Sequence, residues 1–416
     1  MKWSMVCAAI CAAGVAGAEP SVTDVQASQD EASRLVSVSY TLSDGPAIVT
    51  VDFLTNGVSI GQENLQRLFG AVNREVETGA RTLHWRPELD WPGHLLASGE
   101  MTASITVWPT NSPPDYLVVD LASGAREYYV SSNAVPDGIT AIVYKTDKLP
   151  FRRIHAKGRA WLMGAPTNEV GSIRSDKPVD ERQHRVILTH DYYMAVYPTT
   201  QRQYWIMRGS MPSVHSNRLC WASRPAENFT HEAVRERGAS VTWPASGHAV
   251  GADSALAVCR SSLKGLMVDF PTEAQWEIAC RAGTDTSHAN GLNLNSPGRD
   301  DTVVAPLGRY NHNGGNKGDL FSDTTMQTSE VGTYAPNAWG LYDMHGNVWE
   351  MCLDRYDADY GLNGATVVTD PVGPPSGTTY VRKGGSYNGD AHVTRSARRS
   401  TVDGGQANGF RLCIEL

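Results

Sequence analysis

At 416 residues the chain is too long for one ordinary core, so at least two domains are expected. A formal charge of −8 excludes general binding to nucleic acid or to anionic membranes, short basic patches aside. Abundant glycine and proline, with aromatics rich in Trp and Tyr, favour strands, turns and loops over long helices.

The first residues, "MKWSMVCAAICAAGVAGAEP", read as a secretory signal over 1–18: Lys2 supplies the positive start, Met5 to Ala13 a short apolar run, and Ala16-Gly17-Ala18 the small-residue cleavage site. The run is too short to span a bilayer, and Ile10 ahead of Cys11 is a poor fit to a lipoprotein anchor. No later stretch is apolar enough for a membrane helix. The mature chain is therefore expected to be exported, periplasmic or extracellular. Five cysteines follow the leader: Cys220, Cys259, Cys280, Cys352 and Cys413. An odd number in an oxidising compartment is no disulfide framework, and buried thiols with at most two bridges are expected. No CxxC pair or zinc-spaced Cys/His cluster occurs.

Residues 19–124 predict a small all-β sandwich of immunoglobulin or fibronectin type. "RLVSVSYTLS" alternates apolar and polar, "AIVTVDFLTNGVSI" alternates and turns at Asn56-Gly57, and "MTASITVWPT" and "DYLVVDLASG" add further short strands. His84 and Trp85 read as a strand-edge pair rather than a site. Residues 125–150, around "NAVPDGIT", read as a linker, and a second domain of mixed α+β type follows over 151–416.

In that domain "TTQRQYWIMRG" predicts a threonine-capped helix. "PTEAQWEIACRAG" predicts another, with Thr272 as cap, Gln275 at the capping-box position and Gly283 as terminator. Trp276, Ala279 and Cys280 then share one face. Beyond it lies a long Gly/Asn/Asp-rich stretch with few regular elements, which needs more than apolar burial to order it. "GLYDMHGNVWEM" offers an answer: Asp343 and Glu350 bracket a Gly346-Asn347 turn and could form an oxygen shell for Ca²⁺ with the carbonyls of Gly346 and Val348. A hairpin turning at His345-Gly346-Asn347 is the simpler alternative.

Taken in order, "WLMGAP", "HRVILTHDYYMAVYPTTQRQY", "FPTEAQWEIACRAG", "VGTYAPNAWGLYDMHGNVWEM", "VRKGGSY" and "NGFRL" resemble the formylglycine-generating enzyme, or sulfatase-modifying-factor, family over residues 151–416. The resemblance implies a C-type-lectin-like fold with two calcium sites. One would use Asp343, Gly346, Val348 and Glu350. The other would use Asn311, His312, Asp323 and Thr325. It also implies a bridge by rough analogy, Cys259 with Cys413.

Active members oxidise a sulfatase cysteine to formylglycine with O₂ and copper(I), held by two cysteines just after the "GGSY" motif. Cu(I) is soft and suits thiolates. Here Tyr387 is followed by "NGDAHVTRSARRSTVDGGQANGF", which holds no sulfur and one imidazole, His392. Copper is therefore not expected. The family positions leave a polar groove of Trp349, Ser386, Tyr387, Asn388, Asp390 and Arg395.

The expected role is a calcium-stabilised binding module for a sulfatase-like partner, a peptide or a glycan. The alternative is a formylglycine-generating oxidase with an unrecognised metal site. A third reading gives the arginines of "TRSARRS" to ion pairs that stabilise the fold.

Overall fold

The computed structural model describes residues 10–11, 19–93, 101–166, 168–171, 181–216, 219–235, 249–296, 302–313, 327–362, 364–401 and 405–416. The expected leader falls outside the described residues, apart from Ile10 and Cys11. The chain divides into two compact units: Met1–Val118 with Arg126–Ala141, and Val119–Ala125 with Ile142–Leu416.

The smaller unit is built from alternating strands. Met101–Pro109 turns Met101, Ala103, Ile105 and Val107 inward and leaves the residues between them partly exposed, as a half-buried strand requires. It pairs with Ala47–Thr55, which also carries Arg74–Val76 and Val58–Ser59. A second sheet runs in the order Ser21–Gln29, Val36–Ser43, Gly79–Trp85, Leu68–Gly70. Side chains of both sheets, among them Val38, Tyr40, Phe53, Leu83 and Ile105, form one apolar core. The Asn56-Gly57 turn is present, with φ of 51° and 79°, the left-handed values a tight two-residue hairpin demands. His84 and Trp85 do not sit on a sheet edge, since their strand lies between two others. Trp85 is fully buried and stacks on Phe53 at 4.8 Å.

The stretch expected to be a linker carries structure instead. Residues 125–150 hold the strand Arg126–Tyr129, a 3₁₀ turn at Ser132–Ala134, a helical turn at Val143–Thr146 and the start of the strand Lys148–Ile154. Tyr129, Val135, Tyr144 and Leu149 are buried, which a solvated connection would not achieve.

In the larger unit, Lys148–Ile154, Tyr192–Ala195, Cys413–Glu415 and Val268–Asp269 lie side by side in that order. A second sheet runs Ser400–Thr401, Tyr380–Lys383, Trp349–Arg355, Asn408–Gly409. Both predicted helices form. Gln201–Arg208 has a complete Thr200–Gln203 capping box and ends on left-handed Gly209. Glu273–Arg281 has the Thr272–Gln275 box, but its cap residue is Ala282 at φ 47°, one position before the expected glycine. Every residue of this second helix is buried, the charged ones included.

Its charges are matched inside the protein. Glu277 meets Lys383 at 2.9 Å and Arg281 at 2.8 Å, and Arg399 holds Glu273 at 2.7 Å. Burial pushes the Glu277 carboxyl up, but Lys383 and Arg281 outweigh it and hold the group at about 2. Between Arg281 and Trp349 the described residues contain no helix or strand, as the glycine- and asparagine-rich sequence suggested.

All five post-leader cysteines are free thiols, so the Cys259–Cys413 bridge is not formed. The two side chains enter different surroundings. Cys413 joins the cluster of Tyr192, Met194 and Trp276, whereas Cys259 lies near Tyr204 and Arg208.

Candidate functional site

The strand Tyr380–Lys383 ends in Gly384-Gly385, and both glycines have positive φ. A Cβ on Gly385 would come within 2.9 Å of the Val393 carbonyl, so this sharp exit needs glycine. The turn delivers Ser386 and Tyr387 against the start of the strand Trp349–Arg355. The Tyr387 N–H donates to the Asn347 carbonyl at 2.9 Å, and the Trp349 N–H donates to Ala407 at 2.8 Å. Trp349, Tyr387 and Ala407 then form a small apolar cluster with Val393 at its margin. The Arg382 guanidinium lies 4.8 Å from the Trp349 ring and also donates to Asn408 at 2.6 Å.

Ser386 is buried and donates to the Asn388 side-chain oxygen at 2.8 Å, while Asn388 itself is exposed. Asp390 accepts from the Asn311 amide at 3.2 Å. Five of the six expected groove residues thus lie on one turn or against it. Arg395 does not join them. It is fully buried, with Nη1 at 2.7 Å from both Glu169 and Glu181 and Nη2 at 2.7 Å from the Gly171 carbonyl. Arg399 pairs with Glu273 and Arg398 approaches Glu181 at 3.6 Å, so the arginines of "TRSARRS" serve ion pairs. The backbone there is a 3₁₀ turn, Ala391–Thr394, and a short strand, Ser400–Thr401.

Two further residues complete the site. The Tyr387 hydroxyl lies 3.3 Å from Nε2 of His215, and the two rings meet edge to face. The His215 backbone N–H donates to Oε1 of Glu227 at 2.9 Å. Glu227 is fully buried, and among the described residues its Oε2 has no hydrogen-bond partner. Burial pushes its carboxyl up to about 7, against the backbone donors of His215 and Val214. Burial first, and the Glu227 charge second, raise the Tyr387 hydroxyl. Sequence reading missed both residues. They stand in "SVHSN" and "PAENF", far from "GGSY" in the chain and without a motif, and only tertiary packing joins them.

At the first expected calcium loop, Asp343, Gly346 and Asn347 have φ of 58°, 125° and 65°, so the segment coils and is no hairpin. A Cβ on Gly346 would meet the Arg309 carbonyl at 2.2 Å, and no larger residue fits there. The carboxylates, however, are already engaged. Arg411 grips Glu350 through both oxygens at 2.8 and 2.9 Å, and the Trp276 indole donates to Oε2 at 2.6 Å. Asp343 accepts from the Gly332 N–H at 2.7 Å and from the Asn347 amide at 3.3 Å. Every carboxylate oxygen of this set faces a donor, and the arrangement does not fit a Ca²⁺ ion. At the second loop Asn311 and His312 are described, whereas Asp323 and Thr325 lie outside the described residues.

Residues 155–416, more than half the chain, match the model of the sulfatase-modifying factor enzyme 1-like domain. The chain belongs to this family. A formylglycine-generating enzyme of Thermomonospora curvata is 38% identical over 123 residues, covering 28% of this chain and 38% of the relative. That of Streptomyces coelicolor is 39% identical over 149 residues, covering 34% and 45%. Serine/threonine-protein kinase pkn1 of Chlamydia pneumoniae is 31% identical over 257 residues, covering 58% and 35%. The chain spans less than half the length of each of these three relatives. Among solved structures, Treponema denticola variable protein 1 aligns with a TM-score of 0.48 at 20% identity, over 65% of this chain and 96% of that one. PvdO from Pseudomonas aeruginosa aligns with a TM-score of 0.47 at 22% identity, over 64% and 94%.

Within this sulfatase-modifying factor domain the thiols are placed for packing. Cys259, Cys280, Cys352 and Cys413 are buried, and burial raises each, Cys259 and Cys280 to about 12. Cys220 is exposed, and desolvation and then Glu330 raise it too. The segment 388–399 that follows "GGSY" supplies amide, carboxylate, imidazole and guanidinium groups and no sulfur.

Proposed function

We propose that this protein is an exported binding module of the sulfatase-modifying factor family, without copper-dependent oxidase chemistry. Its ligand is an extended polar chain, a peptide or the surface of a sulfatase-like partner, held at the turn of Ser386, Tyr387 and Asn388 beside Trp349. One observation carries the reading: the segment after "GGSY" contains no sulfur. Cu(I) needs soft ligands, and the donors at this turn are hard. An aromatic pair bordered by amide and carboxylate groups suits a chain of alternating apolar and polar character. A glycan is the other ligand of the same reading, and a panel of both separates them.

The finer fold assignment belongs to the same proposal. Two sheets around one core in the smaller unit support an immunoglobulin-like module. Loops around a small sheet in the larger unit support C-type-lectin-like topology. Among the described residues no helix is long and apolar enough to cross a membrane. We retain a calcium ion only at Asn311, His312, Asp323 and Thr325. The kinase name of one relative is not carried over, because this sequence holds no H-R-D catalytic loop followed by D-F-G.

The test mixes the protein with Cu(I), O₂ and a sulfatase-motif peptide containing CxPxR. No aldehyde is expected by mass spectrometry, while the peptide is expected to bind. An aldehyde product overturns the reading in favour of the oxidase.

A further inference from the structure

A strand at the edge of a sheet presents backbone N–H and C=O groups that invite pairing with another strand, and proteins blunt such edges by shortness, charge or a bulge. Among the described residues the smaller unit blunts four edge strands in this way. Val58–Ser59 has two residues and Leu68–Gly70 three. Arg74–Val76 has three, and its Arg74 and Glu75 are exposed charges. Ser21–Gln29 is long, but its register breaks between Thr23 and Gln26, where Asp24 takes a left-handed φ of 53°.

Met101–Pro109 is the exception. It has nine residues, pairs in unbroken register with Ala47–Thr55 on one side, and carries no charged residue. Proline stands only at its last position, and Thr102, Ile105, Thr106, Val107 and Trp108 are strong strand formers. On its other side Ile10–Cys11 runs parallel to Thr106–Val107, so a further strand fits there. Those two residues belong to the stretch read as a leader over 1–18, and cleavage after Ala18 takes that strand away.

The pattern of the strand itself selects the occupant. Read outward from Ile105, Ser104 matches Thr106, Ala103 matches Val107, and Thr102 matches Trp108. Met101, Ala103, Ile105 and Val107 face the core, and the residues between them are partly exposed. An antiparallel copy related by a two-fold axis at Ile105 therefore sets apolar residues opposite apolar ones on the inner face. On the outer face the hydroxyls of Ser104 and Thr106 meet, and Trp108 lies opposite Thr102 as an aromatic–β-branched pair. The strand opposes no like charges to itself, and it offers no charge by which a charged partner would be preferred.

We propose that, once the leader is removed, Met101–Pro109 pairs with the same strand of a second copy, antiparallel about Ile105, so that one sheet of each smaller unit continues into the other. The inference concerns the smaller unit alone and stands independently of the ligand-binding reading.

The experiment is sedimentation equilibrium of the chain beginning at Glu19, from micromolar to hundred-micromolar concentration, with reductant present so that the exposed Cys220 cannot link two copies. One strand pair is small beside a standard interface, so a reversible dimer is expected at the upper end of that range. Ser104→Lys combined with Thr106→Lys opposes lysines at both symmetry-related positions and is expected to weaken the dimer at least about tenfold. Both side chains are partly exposed, and Asp52 stands across from Ser104 on the neighbouring strand, so the fold accepts the change; an unaltered Tm checks this. Ser104→Lys combined with Thr106→Glu opposes lysine to glutamate instead and is expected to dimerise at least as well as the parent.

A parent that stays monomeric throughout overturns the proposal. A dimer that the first variant leaves unchanged overturns it as well, because the contact then lies elsewhere. A second variant as weak as the first rejects the pairing about Ile105.

Discussion

Arg395 offers the sharpest division between a groove residue and a structural one, and Arg395→Met tests it. The guanidinium makes five hydrogen bonds, to Glu169, twice to Glu181, and to the carbonyls of Gly171 and His392, all between 2.7 and 3.0 Å. Methionine fills much of the volume and leaves two buried carboxylates without their shared cation. Breaking a buried pair from one side costs about 3–5 kcal/mol, most of it the stranded charge. In a unit of this size that lowers the melting temperature by roughly 10 °C. Differential scanning calorimetry reads the loss. A second variant makes the reasoning specific: Arg395→Met combined with Glu169→Gln and Glu181→Gln removes the stranded charges and should recover part of the stability. Should Arg395→Met melt within about a degree of the parent while ligand affinity collapses, the residue belongs to the groove and the ion-cluster account fails.

Glu227 predicts a pH dependence. Its folded-state value of about 7 exceeds the ordinary 4.5, so the folded protein binds more protons between those values and loses stability as pH rises through them. The loss is about 3 kcal/mol by pH 8; melting curves of Glu227→Gln should be flatter over that range, and parallel curves would refute the assignment. Thiol titration of protein beginning at Glu19 should find one reactive group in the native state, Cys220, and five after denaturation without reductant. Three after denaturation would mean that one bridge exists. The retained calcium site predicts that Ca²⁺ at a hundred times its dissociation constant adds about 2.7 kcal/mol of stability. Asp323→Asn should abolish that gain in the same calorimetric scan.

What could be read from the sequence was mostly local. The capping boxes at Thr200 and Thr272 lie within four residues of chain, so their chemistry is visible in a line of text. The Asn56-Gly57 hairpin is equally short-range, and the ordered family motifs located the Gly384–Asn388 turn. The failures involve distance. Arg395 meets Glu169 and Glu181 from across more than two hundred residues, and nothing in "TRSARRS" names its partners. Glu227 and His215 reach Tyr387 by the same long route. In sequence the segment 125–150 reads as a linker because its turn residues are conspicuous, whereas its short strand and buried tyrosines are not.

The strand Cys413–Glu415 lies between Tyr192–Ala195 and Val268–Asp269, and both neighbours hydrogen-bond to it. On a ribosome those two neighbours emerge long before the piece that joins them. Until residue 415 leaves the exit tunnel, each keeps an unpaired edge and the apolar cluster around Trp276 lacks one wall. Assembly of this unit therefore waits for the strand Cys413–Glu415, made more than 140 residues after Val268–Asp269 and more than 210 after Tyr192–Ala195.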